Sequence, residues 1–311
     1  MELTSIEREL LLLIRFFDQL GYALTCSQIL KYLPGRHKTE EVIETLGGDR
    51  LANFIDERNG FYFSLGHGDL PEKRLSNYLV GIDKLKRARR MSGILKYFPW
   101  IKAIAIYGSL SFYNPRAEGD IDLFIIGASG RLWSARFFVN AFMKLFGLRP
   151  TEAKKKNKIC PSYWVAEDDM NLQLTYGGSE DYFYRYCGVS SFWFIYDEDK
   201  IADKFFSANS WIRRDLPRWQ PFDGGATLGD NLGNRIIKKI LALAASLLAE
   251  KTYQAWQMKI LPERYKAIQN KDQRVIIGDK IIKLHDNDRG ESRNQEFKQT
   301  MANFFGYAAK L

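Results

Sequence analysis

The sequence predicts an α+β fold in three parts, and three observations carry that reading. Apolar residues near the start recur at helical spacing and run into a short hairpin pattern. A central stretch alternates compact apolar strand-like runs with a helix, and the last third is dominated by helical patterns. The parts divide as residues 1–70, 71–175 and 176–311.

In the first part, Ile6, Leu10, Leu13, Ile14, Phe17 and Leu20 form one apolar stripe, with Thr4 or Ser5 able to cap the start and Gly21 ending it. A second helix is expected from about Ser27 to Leu33, stopped by Pro34-Gly35, and a third from about Thr39 to the Leu46-Gly47-Gly48 stop. Phe54 to Glu57 and Phe61 to Leu65 flank Arg58-Asn59-Gly60, and Asn-Gly suits the left-handed conformations of a tight hairpin turn. Three helices followed by a hairpin read as a winged helix. Its third helix carries Glu40, Glu41 and Glu44, where contact with DNA phosphates calls for Lys or Arg, so groove reading is not expected.

Between Pro71 and Tyr97, Leu75, Leu79, Ile82, Leu85 and Leu95 make an interrupted stripe, and Lys84, Lys86, Arg87, Arg89 and Arg90 crowd the remaining surface. This basic face is either solvated or a contact for a polyanion. Strands are expected at 101–107 and 120–126, a helix at 131–146, and a third strand from Ile159 to Val165, with Pro161 marking an edge or a bulge.

The chemistry gathers at the first two strands. Ala105-Ile106-Tyr107-Gly108-Ser109 is followed, after ten residues, by Asp120-Ile121-Asp122-Leu123. Strand periodicity puts Asp120 and Asp122 on one face and Ile121 and Leu123 on the other. Two adjacent carboxylates repel unless a cation lies between them, and hard oxygen ligands suit Mg²⁺ or Mn²⁺. Gly108 permits a close turn, and Ser109 can offer its hydroxyl and N–H to phosphate. The plain alternative is a solvated strand end beside an ordinary turn.

The Gly-Ser corner, the spacing and the Asp-x-Asp pair resemble the signature of the DNA polymerase β-like nucleotidyltransferase superfamily. Ala208-Asn209-Ser210-Trp211-Ile212, Leu216-Pro217 and Leu284-His285-Asp286-Asn287-Asp288-Arg289 are similar to segments of uncharacterised bacterial proteins with a nucleotidyltransferase domain behind an N-terminal winged helix. The resemblance implies a mixed catalytic sheet, with Gly108 and Ser109 holding a nucleoside triphosphate and Asp120 and Asp122 holding the metal. It also implies transfer of a nucleoside monophosphate to a hydroxyl acceptor with loss of pyrophosphate. In that superfamily the third strand commonly supplies a third carboxylate. Here it offers Lys158, Cys160 and Ser162, which leaves Glu152, Glu167, Asp168 and Asp169 as neighbouring candidates. The missing acid keeps a second reading open, a non-catalytic nucleotide-sensing regulator whose winged helix meets DNA or a protein.

A net charge of +9 and a pI near 9.3 favour polyanionic company, so the acceptor can be a nucleic acid, and a protein acceptor is also compatible. Cys26, Cys160 and Cys187 are scattered and read as reduced thiols, and His37, His67 and His285 suggest no zinc site. The aromatic run from Tyr182 to Tyr196 reads as core. Residues 231–260 read as one long helix lined by Ile236, Ile240, Leu243, Leu247 and Trp256, after a loop from Pro217 to Gly225. No apolar run approaches membrane-spanning length, and the expected setting is the cytoplasm, without membrane.

Overall fold

The computed structural model describes residues 3–176, 180–222, 227–229, 231–246, 248–286 and 288–308. Leu247, Asn287 and the Asp223-Gly224-Gly225 end of the expected loop lie outside them. The first part comprises α1 (Ser5–Gln19), β1 (Leu24–Thr25), α2 (Cys26–Tyr32), α3 (Thr39–Leu46), β2 (Ile55–Arg58) and β3 (Phe61–Ser64). Thr4 caps α1 in a capping box with Glu7, and Asn59 and Gly60 both take positive φ, as the hairpin turn requires. The strands form a small antiparallel sheet in the order β1-β3-β2.

The centre holds α4 (Leu70–Leu95), β4 (Ile101–Ile106), β5 (Ile121–Gly127), α5 (Leu132–Leu145) and β6 (Ile159–Ala166). After it come α6 (Tyr182–Cys187), β7 (Trp193–Asp197), α7 (Ile201–Ala208), α8 (Ile212–Asp215), α9 (Leu232–Ala245), α10 (Glu250–Lys259), α11 (Glu263–Ile268), β8 (Val275–Ile277), β9 (Ile281–Leu284) and α12 (Gly290–Ala308). The molecule is therefore mixed α and β. Its main sheet runs β7-β4-β5-β6-β9-β8, with β5 and β6 parallel across α5 and the other neighbours antiparallel.

Three expectations are corrected. The last part is not wholly helical, because β7, β8 and β9 complete the main sheet on both sides of the central strands. The span 231–260 is two helices: Ala249 turns extended, and Glu250 accepts N–H bonds from Trp133 at 2.6 Å and Ser134 at 3.2 Å. That carboxylate meets the positive end of α5, which draws α10 onto α5 and away from the axis of α9. Finally, Lys84 is buried, not part of the exposed basic face, while Leu75 and Leu79 of the expected stripe are exposed.

The sheet separates two apolar layers. Ile104, Ile106, Leu123 and Ile125 pack with Leu85, Ala88 and Leu95 of α4 and with Leu132 and Val139 of α5. Ala103, Ala105, Phe124 and Ile126 face the other layer, which is continuous with the core of the first part. There Phe17 and Tyr32 meet Phe112 and Tyr186 with ring centroids 5.4–6.1 Å apart, so the N-terminal unit is docked on the main sheet's loops and the later helices. Among the described residues no helix is long and apolar enough to cross a membrane.

At one crossing, α4 touches backbone: a Cβ built on Gly81 lies 3.0 Å from the Cα of Tyr113. Gly81→Val should therefore lower stability by about 1–3 kcal/mol through overpacking, read as a reduced urea midpoint with an unchanged m-value.

Candidate functional site

The site lies where β4 ends and β5 begins. The register Ile106↔Leu123 sets the corner after β4 beside the head of β5. Gly108 turns that corner with φ +63, and no atom lies within 4 Å of where its Cβ would stand, so the backbone conformation is what requires glycine there. Gly108 donates its N–H to Ser191 Oγ at 3.0 Å, and Ser111 donates its hydroxyl to the Gly108 carbonyl at 2.7 Å. Ser109 is exposed at the tip of this turn.

Asp120 and Asp122 come together as the strand period requires, and Cys160 joins them, with one ligand atom of each lying within 4.8 Å of the others. Cys160 is there because the parallel register pairs it with Asp122. Just beyond, a register shift accommodates Pro161 inside the sheet and brings the buried Ser162 to 3.5 Å from Asp122 Oδ1. Pro161 thus marks a bulge and not an edge.

His285, at the end of β9, closes the group. Its Nε2 bonds Tyr107 OH at 2.8 Å, contacts the Ser162 hydroxyl and lies 3.9 Å from Asp122 Oδ1. Behind it Lys283 and Tyr184 hold Asp288, at 3.0 and 2.6 Å. Burial, with Lys283 adding to it, holds the His285 imidazole well below its ordinary range, so the ring is neutral near pH 7. Tyr107, Ser162 and His285 were not singled out from sequence as members of this site. They come from three separated segments, and the available signal was only that β6 offered hydroxyl and thiol groups where an acid was expected.

The charge balance explains what the pair can hold. Burial foremost, then Asp120, pushes the Asp122 carboxyl up to about 7, against the lowering effect of the Ser162 hydroxyl. Burial and then the two aspartates push the Cys160 thiol up to about 12, so it stays protonated. Two carboxylates with a neutral hydroxyl beside them are a hard oxygen set that fits Mg²⁺ or Mn²⁺, ions that keep positions for water or phosphate. Lys84 supports the corner from beneath by donating from Nζ to the Gly119 carbonyl.

None of the four neighbouring acids joins this group. Glu152 pairs with Arg264 at 2.9 Å and Asp168 with Lys280 at 3.0 Å. Glu167 lies 3.4 Å from the Ser129 N–H, and Asp169 lines a separate open cleft of about 820 Å³ with Tyr176 and Arg214. No protein-family model, curated protein or solved structure matches this chain.

A cation entering this site must displace the proton of Asp122. Mn²⁺ affinity should therefore rise about tenfold per pH unit up to about pH 7 and level off above it. Titration calorimetry between pH 5.5 and 8.5 measures this, and Asp122→Asn should lower the affinity and flatten its slope.

Proposed function

We propose that this protein is a metal-dependent nucleotidyltransferase of the polymerase β-like kind, carrying an N-terminal winged helix and working in the cytoplasm. The observation that carries the reading is the convergence of Asp120 and Asp122 on one face at the head of a central strand, beside the Gly108-Ser109 turn. Asp120 and Asp122 would hold Mg²⁺ or Mn²⁺, which when bound neutralises charge on the phosphoryl group being transferred. Ser109 offers its hydroxyl to a triphosphate oxygen, while Gly108, its N–H committed to Ser191, shapes the turn that presents Ser109. Ser162 donates its hydroxyl to Asp122, and His285 contacts that same hydroxyl from the neighbouring strand. An acceptor hydroxyl would then attack the α-phosphorus, and pyrophosphate would leave.

The acceptor we favour is a polyanion, consistent with the net charge of +9, with a protein hydroxyl as the other class. The winged-helix reading rests on the order of three helices and a hairpin and on the three-stranded sheet. Its α3 leaves Glu40, Glu41 and Glu44 exposed, and its apolar side is taken up by Phe112 and Tyr186, so we assign it to docking and not to DNA reading.

A second reading draws on one specific observation: the position on β6 opposite Asp122 holds Cys160, which stays a neutral thiol. That favours a nucleotide-sensing regulator without transfer. The two readings separate in a single experiment. Nucleoside triphosphate with Mg²⁺ should raise Tm, and Asp120→Asn or Asp122→Asn should abolish the shift while the metal-free protein melts as a folded one. Transfer from α-labelled nucleotide should fall more than about 100-fold in both variants, beyond the roughly 10–100-fold typical of losing an outer partner of a metal site. Unchanged Mg²⁺-nucleotide binding in both variants would refute the site, and binding without transfer to any acceptor pool would establish the regulator.

A further inference from the structure

Helix α9 is built with its apolar side outward. Leu232, Ile236, Ile237, Ile240, Leu241 and Leu243 are all exposed, Leu243 at 78 %, Leu232 at 74 % and Ile240 at 63 %. At 100° per residue these six fall within about half of the helix circumference and form one continuous strip. The stripe facing the protein is instead Asn234, Lys238 and Ala245. Lys238 binds the Glu198 carboxylate, the Tyr196 hydroxyl at 3.0 Å and the Ile101 carbonyl. A buried ammonium held by three oxygens pins the rotation of α9, because turning the apolar strip inward would carry Lys238 out into water and take that partner from the buried Glu198 carboxylate. Among the described residues nothing covers the strip.

We propose that a second copy of this chain covers it, with α9 packed on α9 across a two-fold axis. The six side chains expose roughly 650 Å² of apolar surface, above the ~300–600 Å² of the largest patch on a typical monomer and near the ~800 Å² that each partner contributes to a stable dimer. Apart from Gly233 and Ala244 the strip is aliphatic, without a charge inside it, so it is complementary to itself, as a two-fold interface requires. A lipid surface fits less well. Of the three cations on α9, Lys238 is buried and Arg235 pairs with Asp199 at 2.7 Å, which leaves little for anionic headgroups to attract.

Sedimentation equilibrium of the full chain between about 1 and 100 μM tests the proposal. Wild type should sediment at twice the chain mass. Ile240→Glu and, independently, Leu243→Lys should weaken the dimer at least about 100-fold while far-UV circular dichroism and Tm stay those of a folded monomer. The two opposite charges guard against an effect of charge sign. A wild type that is monomeric throughout this range overturns the proposal, as does a dimer that both variants leave intact. Monomers that instead float with phosphatidylserine vesicles in a density gradient overturn it in favour of a lipid surface.

Discussion

Two carboxylates forced side by side where a central strand begins are the constraint around which this molecule is arranged. Desolvation and then the charge of Asp120 oppose ionisation of Asp122, and the surroundings answer with neutral groups: the Ser162 hydroxyl, a protonated Cys160 and an imidazole kept neutral by burial. Lys84, within electrostatic reach of Asp120, turns its ammonium to the Gly119 carbonyl and so ties down the backbone just before that residue. The groups that touch Asp122 are thus neutral, which leaves room beside it for a cation with its own anionic ligand.

Around this point the sheet divides the labour. The helices α4 and α5 seal one face with aliphatic packing, while the other face merges with the N-terminal unit through rings from four distant segments: Phe17, Tyr32, Phe112 and Tyr186. Phe112 lies only three residues after Ser109, so the loop that presents the candidate phosphate contact is clamped by the N-terminal helices. The N-terminal unit accordingly has a part in holding the site, and its acidic α3 remains on the outside.

The later segments are woven into the main sheet. β7 pairs with β4, and β9 pairs with β6, so the strand that leads into Gly108 and the strand that carries Ser162 each gain a neighbour from the last part of the chain. Ser191, just before β7, receives the Gly108 N–H, and His285, just after β9, reaches Asp122. Removing the last part would therefore take away the support of the site along with the helices.

Local pattern was enough for much of the architecture. Thr4 with Glu7, the Asn59-Gly60 turn and the alternation through Asp120, Ile121, Asp122 and Leu123 each act over a few residues, so sequence alone determined the N-terminal helices and hairpin, the strands β4 to β6 and the pairing of the two aspartates. The hairpin of β8 and β9 was legible in principle, since Val275-Ile276-Ile277 and Ile281-Ile282 flank Gly278-Asp279-Lys280, but short apolar runs there are equally compatible with helix. Tertiary structure decided the rest. His285 and Tyr107 meet because β9 is inserted beside β6, Lys84 is buried because α4 lies under the Gly119 corner, and α9 and α10 part because Glu250 is drawn to the start of α5. Each of these depends on a partner more than 30 residues away, and side-chain spacing along the chain carries no information about contacts that only the assembled sheet brings within reach.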